Sequence, residues 1–127
     1  MLPDTPARLE RGRALFNARL FWEAHEAWEE AWLEEDGDTR LFLQGVIQVA
    51  AGYYKAFVQQ QPVGCVKLLG TGLDKLRPLD ARFGGIALSA FVTRVERTLL
   101  SAQAWHAGGA PIDAREVPKL ELSTEGR

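Results

Sequence analysis

The segment from Thr39 to Gln60, TRLFLQGVIQVAAGYYKAFVQQ, decides how this 127-residue chain folds. Between residues 41 and 58 the only polar side chains are Gln44, Gln48 and Lys55. A helix that is apolar almost all round either lies in a protein core or spans a membrane. Two glutamines and a lysine are costly in lipid, so the segment predicts a central helix surrounded by other helices and no membrane partner.

Two helices are predicted before the central one. Thr5 followed by Pro6 is typical of an N-cap and a first helical position, and this first helix should run for about 12–14 residues. A second helix is predicted from about Phe21 to Glu35. Gly37 then ends it, because glycine adopts the conformation at a helix C-terminus without a steric penalty. Asp38 or Thr39 is expected to cap the central helix.

Two more helices and an extended arm are predicted after the central one. Pro62 opens a fourth helix, and the fifth carries apolar residues such as Leu88 and Phe91 at i, i+3, i+4 spacing and runs to about Trp105. Periodicity fades in residues 106–127, where four apolar side chains are available for docking: Ile112, Val117, Leu120 and Leu122. The sequence predicts an all-α bundle or array of about five helices in one domain, residues 1–127, with a helical core over about 6–105.

Composition excludes several classes of protein. Apolar residues make up 46% and charged residues 25%, which is ordinary for a globular chain. The net charge of −2 argues against nucleic-acid binding. A single cysteine, Cys65, excludes an intramolecular disulfide and a cysteine-based zinc site, and it fits a cytoplasmic setting. The N-terminal residues show no signal-peptide pattern. Whether the chain forms a homo-oligomer is left open.

The second helix, FWEAHEAWEEAW over Phe21–Trp32, carries the candidate chemistry. At about 100° per residue, His25 and Glu29 lie at the edge of an aromatic, core-facing stripe. A carboxylate there needs a partner, which is the histidine, a donor from another helix or a bound cation. Eight acidic residues and no Lys or Arg lie between Glu23 and Asp38, whereas residues 39–73 contain no acidic residue.

A divalent metal is one hypothesis for this segment, because His25 and Glu29 at i, i+4 can meet on one helix face. Spacing selects no third ligand among the four candidates, which are Glu26, Glu10, Glu96 and His106. The segment is one substitution from the zinc-protease motif H-E-x-x-H, but Glu29 replaces the second histidine. Gln44 and Gln48 either support this pair from the central helix or form a solvated stripe.

Two further hypotheses stay open. In the first, His25 and Glu29 are a buried structural pair, and the protein is a non-enzymatic helical interaction or assembly module. In the second, aromatic residues of the second and central helices line a pocket for a small molecule of unknown identity. Those residues are Trp22, Trp28, Trp32, Tyr53 and Tyr54.

The whole pattern resembles the family called domain of unknown function 309. The resemblance is carried by Phe16-Asn17, by Phe21 to Glu26, by Trp28-Glu29 and Trp32-Leu33, and by Phe42 to Ala51, and it extends over roughly residues 9 to 77. It implies an all-helical domain whose signature H-x-x-x-E-x-x-W or Y falls on His25, Glu29 and Trp32. The signature implies metal binding, and members often carry the label of metal-dependent hydrolase. The resemblance implies no established reaction.

Overall fold

The computed structural model describes residues 1–124. Within them lie five α-helices: α1 Thr5–Asn17, α2 Phe21–Trp32, α3 Gly37–Phe57, α4 Pro62–Leu76 and α5 Leu88–His106. Two short 3₁₀ turns, Phe83–Gly85 and Ala114–Glu116, interrupt the connecting and C-terminal segments. The prediction of an all-α fold is confirmed. No helix in the described range is long and apolar enough to cross a membrane.

Each helix packs against the next one in the chain, and α3 lies between α2 and α4. The α3–α4 contact is the most extensive, because glycines let the two backbones approach. A Cβ atom on Gly45 would lie 2.5 Å from Cδ2 of Leu76, and one on Gly72 would lie 2.8 Å from the carbonyl oxygen of Gly45. The prediction that α3 is central is therefore confirmed, and α4 is its closest neighbour.

The ring of Phe16 joins four helices in the core. Its centroid lies 5.3 Å from that of Phe21, 5.9 Å from Trp28, 6.0 Å from Tyr53 and 5.7 Å from Phe91. These rings contribute residues from α1, α2, α3 and α5, so burial of one aromatic cluster holds the array together.

A hydrogen-bonded relay satisfies the polar groups that lie among these rings. The Tyr53 hydroxyl donates to Oγ1 of Thr98 at 2.7 Å, and Thr98 donates in turn to the carbonyl of Val95 at 2.8 Å. Burial raises the pKa of Tyr53, so its hydroxyl stays protonated.

Helix ends differ from the sequence predictions where tertiary contacts intervene. Thr5 lies inside α1, and its hydroxyl donates to the carboxylate of Glu35 instead of capping the helix. Helix α2 ends at Trp32, three residues early, and Glu35 turns inward to accept a second bond from the N–H of Leu2 at 2.6 Å. Helix α3 starts at Gly37 without a side-chain cap, so the predicted caps at Asp38 and Thr39 are wrong.

The C-terminal arm is extended and docks on the helices, as predicted. Val117, Leu120 and Ile112 are buried, whereas Leu122 is 48% exposed and reaches only an isolated antiparallel bridge with Ile86. The side chain of Asn17 accepts from the N–H of Leu120 at 2.7 Å and donates to its carbonyl at 3.2 Å. Leu122 is therefore the one predicted docking residue that stays largely in solvent.

Candidate functional site

Helix α2 presents its core face as the sequence predicts. Phe21, Ala24, Trp28 and Ala31 are buried, and the indole N–H of Trp28 donates to the carbonyl of Leu9 at 3.2 Å. Helix α1 comes this close because Gly12 has no side chain: a Cβ atom there would lie 2.1 Å from Nε1 of Trp28. Trp28 is therefore a core residue that joins α1 to α2.

His25 and Glu29 are neighbours on α2, but they are not buried together. Nε2 of His25 lies 3.7 Å from Oε2 of Glu29, which is too long for a hydrogen bond. The His25 side chain is 18% exposed and that of Glu29 is 48% exposed. The expectation of a buried carboxylate is wrong, because Glu29 projects past the edge of the core-facing stripe into solvent. The buried structural pair is excluded with it.

Aromatic contacts hold the His25 ring in place. The Trp22 ring stacks on it with centroids 4.6 Å apart and planes at 14°, and it also lies 5.1 Å from the ring of Tyr54 on α3. Nδ1 of His25 is buried and has no hydrogen-bond partner among the described residues. A neutral ring with its proton on Nε2 leaves only a lone pair unsatisfied there, which costs less than an orphaned N–H.

Trp32, the third signature residue, is only partly buried. The guanidinium carbon of Arg40 lies 4.2 Å from the centroid of its ring, which is a cation–π contact between α2 and α3. Nε1 of Trp32 is buried without a partner in the described part of the chain. Trp32 therefore lies at the α2–α3 boundary, and both His25 and Trp32 have a buried nitrogen without a partner within residues 1–124.

The structure brings no third ligand to His25 and Glu29. Residues 1–124 contain no group of three His, Cys, Asp or Glu side chains that could hold a metal ion. Glu10 is paired with Arg13 at 2.8 Å, and Glu96 is hydrogen-bonded to Arg77 at 3.1 Å. His106 ends α5, and Glu26 is exposed. Metal binding by the two signature residues stays a prediction, with two protein ligands and no third.

The two glutamines of α3 do not support the signature pair. Gln44 and Gln48 are half-buried, and neither hydrogen-bonds His25 or Glu29 within residues 1–124. Gln48 lies two helical turns before Lys55, whose aliphatic carbons pack at Gly64 of α4. The α3 side chains that contact α2 near the signature residues include Arg40 and Tyr54. The two glutamines therefore make no hydrogen bond to the signature pair, and the buried Oε1 of Gln48 has no partner within residues 1–124.

The five aromatic residues proposed for a small-molecule pocket separate into two groups. Trp28 and Tyr53 are fully buried and hydrogen-bonded in the core. Trp22, Trp32 and Tyr54 lie on the outer side of the α2–α3 boundary. A single pocket lined by all five is therefore wrong.

An exposed stripe of α2, which the sequence alone did not single out, is the remaining feature of this region. Trp22 is 43% exposed and Leu33, just after the helix, is 67% exposed. Glu26 and Glu29 lie between them at helical spacing and are also exposed. We call these four residues the outer face of α2. The i, i+4, i+7, i+11 spacing was the signal that could have found it.

Comparison with known proteins adds a family but no activity. No curated protein is significantly similar to this sequence. The match to a family model stops at residue 68, inside α4, and leaves α5 and the arm outside it. It includes the whole signature of His25, Glu29 and Trp32. Residues 9–68 match the model of a family described as domain of unknown function (DUF309), and this match supports assigning the chain to that family.

Proposed function

We propose that the chain is a helical interaction module, and that the outer face of α2 receives a partner segment carrying both positive charge and apolar side chains. The observation that carries the proposal is the exposure of Trp22 and Leu33 at the two ends of this face. Eleven residues of helix separate them, or roughly 16 Å. Two apolar anchors at that distance suit a helical or extended partner segment.

The charge of this region supports a basic partner. Of the glutamates on α2, Glu23, Glu26 and Glu30 make no ion pair with another described residue. Glu34 is paired with Arg8 at 2.8 Å, on the side of α1. Unpaired carboxylates therefore lie on the outer face at Glu26 and elsewhere on the same helix, and their negative potential favours and steers a positively charged segment.

The packing of Trp22 also supports recognition by this face. Its ring is held between His25 and Tyr54 while nearly half of its surface stays in solvent. An aromatic side chain that is already fixed loses little conformational entropy when a partner covers it. Tryptophan is also over-represented among residues that dominate interface energies. In this proposal, His25 acts as the platform that orients Trp22.

Metal binding by His25 and Glu29 is the second candidate, favoured by one observation. The 3.7 Å between Nε2 and Oε2 is close to the separation of two ligands on one tetrahedral zinc ion, which is roughly 3.4 Å. A metal on Nε2 requires the proton on Nδ1, however, and Nδ1 is buried without an acceptor within residues 1–124. The donor set therefore fits a metal poorly, and the interaction role is the better supported function.

A defined peptide tests the interaction role. Fluorescence anisotropy would follow a labelled amphipathic Lys/Leu peptide, with a Glu/Leu peptide as the charge control. We expect the basic peptide alone to bind, and Trp22→Ala to weaken binding about tenfold or more. Leu33→Ala should weaken it too, whereas Leu100→Ala, a leucine on α5 with the same 67% exposure, should not. Failure of the basic peptide to bind, or equal effects of the two leucine variants, would refute the proposal.

Metal content separates the two candidates. Tag-free parent and His25→Ala protein would be equilibrated with Zn²⁺ and Mn²⁺, desalted and measured by inductively coupled plasma mass spectrometry. We expect the same substoichiometric metal content in both. Near-stoichiometric metal in the parent that is absent from His25→Ala would make the signature pair a metal site and replace the interaction role for these residues.

A further inference from the structure

A cleft lined by residues of α5 and the arm has no part in the proposed interaction face. It lies between α5 and the second 3₁₀ turn of the arm and has a volume of about 200 Å³. Its lining consists of Arg94, Arg97 and Ser101 from α5 and Glu116 from the arm. Arg94, Arg97 and Ser101 follow one another at i, i+3, i+7, so a single face of α5 directs all three side chains to the cleft.

The two arginines of this cleft differ from four other arginines of the described residues in having no ion-pair partner there. Arg8, Arg13, Arg77 and Arg115 each make an ion pair with a nearby carboxylate. Arg94 and Arg97 make none with any described residue, although Glu116 lines the same cleft. Two guanidinium groups that share a concave site without a carboxylate ligand are available to an anion from solution.

A third guanidinium adds to the positive potential on this side. Arg19 donates to the carbonyl of Val117 at 2.8 Å and to that of Pro118 at 3.3 Å, immediately after Glu116. These two bonds hold the arm in place at the border of the cleft. The charges of Arg19 and Arg94 both act on the Tyr53 hydroxyl, where they oppose the rise in pKa that burial causes.

We propose that Arg94, Arg97 and Ser101 form a binding site for a phosphoryl group, either inorganic phosphate or the phosphate of a small monoester. The planar guanidinium presents paired N–H donors that match phosphate oxygens, and the Ser101 hydroxyl supplies a further donor. A volume of about 200 Å³ accommodates a phosphate and a short organic group. Glu116 repels an anion here, so binding depends on the two guanidinium groups outweighing this one carboxylate.

Isothermal titration calorimetry tests this site. Inorganic phosphate and glycerol 3-phosphate would be titrated separately into the parent at constant ionic strength, with chloride as the balancing anion. We expect saturable binding of at least one of the two. Tighter binding of glycerol 3-phosphate would identify a phosphorylated small molecule as the ligand, and equal affinities would identify the phosphate group alone. Absence of saturable binding for both would overturn the proposal.

Variants show whether the binding belongs to this cleft. Arg97→Gln and Arg94→Gln should each weaken phosphate binding about tenfold or more, since each removes a charge-assisted pair of hydrogen bonds. Arg11→Gln, an exposed arginine on α1, is the matched control and should leave the affinity unchanged. Glu116→Gln should tighten binding, because it removes the competing carboxylate. Equal losses in Arg97→Gln and Arg11→Gln would show non-specific attraction and overturn the proposal.

Discussion

Glu29 and Glu35 lie six residues apart and contribute to stability to different extents. Glu29 extends into solvent, and its Oε2 lies 3.7 Å from Nε2 of His25. Glu35 is buried and accepts hydrogen bonds from the N–H of Leu2 and the hydroxyl of Thr5. An exposed, weakly paired carboxylate contributes little to folding, whereas a buried acceptor with two donors leaves unsatisfied groups when it is removed.

Glu29→Ala should therefore leave the free energy of unfolding within about 0.5 kcal/mol of the parent value. The physical reason is that the variant creates no cavity and leaves no buried donor without an acceptor. Urea denaturation followed by circular dichroism measures the difference, with Thr5→Val as the contrasting variant. Thr5→Val should cost about 1–3 kcal/mol, because it removes a buried donor to a carboxylate. A large loss of stability in Glu29→Ala would contradict this prediction, because it would mean that the Glu29 carboxylate makes a strong interaction.

The pH dependence of stability should reflect Glu35. The hydrogen bond from Thr5 lowers its pKa, and the N–H of Leu2 lowers it further, so its pKa in the folded state lies below the ordinary value of 4.5. A carboxylate with a lowered pKa stabilises the fold above its unfolded pKa, and this contribution is lost as pH falls through the folded pKa.

Glu35→Gln should consequently be less stable than the parent at about pH 7, and the gap should narrow below about pH 4. Urea midpoints of both proteins across this range measure the gap, with the exposed Glu26→Gln as control. A gap that is constant with pH would show that the charge of Glu35 has no role.

At the scale of elements, the contact between α3 and α4 depends on particular glycines. Gly70 and Gly72 lie in the same helix, but only Gly72 faces α3. A Cβ atom on Gly72 would meet the backbone oxygen of Gly45 at 2.8 Å, whereas one on Gly70 would meet nothing within 4 Å. Backbone cannot move aside as a flexible side chain can, so Gly72 sets how closely the two helices approach.

Gly72→Ala should destabilise the protein by about 1–3 kcal/mol through overpacking of this contact. Gly70→Ala should be neutral or stabilising by up to about 1 kcal/mol, because alanine favours the helix and meets no neighbour. Thermal and urea unfolding of the pair give the comparison within one helix. Equal free energies of unfolding for the two variants would show that α3 and α4 can move apart without loss of stability.

The elements that could be predicted from the sequence are those that depend on a local pattern and not on a tertiary contact. Apolar periodicity predicts five helices because the pattern repeats along each of them, and the start of α4 follows from Pro62. The caps assigned to Thr5 and Asp38 were wrong, because Thr5 finds a tertiary acceptor in Glu35. Tertiary contacts of this kind leave no local signal.

The candidate site also has features that could be predicted from the sequence and features that could not. The spacing of His25 and Glu29 predicted that their side chains are adjacent, and they are. A helical wheel gives the angular positions of residues around one helix, but it does not show how far the neighbouring helices cover that helix. The exposure of Glu29 therefore could not be derived from the sequence. The cleft at Arg94 and Arg97 was also beyond reach, because Glu116 joins it only once the arm has docked.

At the scale of the whole molecule, the core extends beyond the segment shared with the family. The match ends at residue 68, yet Phe91 and Val95 of α5 and Leu120 of the arm are buried in the same hydrophobic cluster as Phe16. The arm is fixed by polar bonds as well: Asn17 binds both backbone groups of Leu120, and the guanidinium of Arg13 donates to its carbonyl at 3.0 Å. The arm therefore completes the fold.

Leucines at two positions of the arm test this role. Leu120 is fully buried, so Leu120→Ala should leave a cavity and destabilise the protein by about 2–5 kcal/mol. Leu122 is 48% exposed, so Leu122→Ala should cost about 0.5 kcal/mol or less. Urea denaturation gives both values, and hydrogen exchange of the Leu120 amide reports whether the arm has detached. Similar small losses in both variants, with a protected amide, would show that the polar bonds to Asn17 and Arg13 hold the arm and that burial of Leu120 does not.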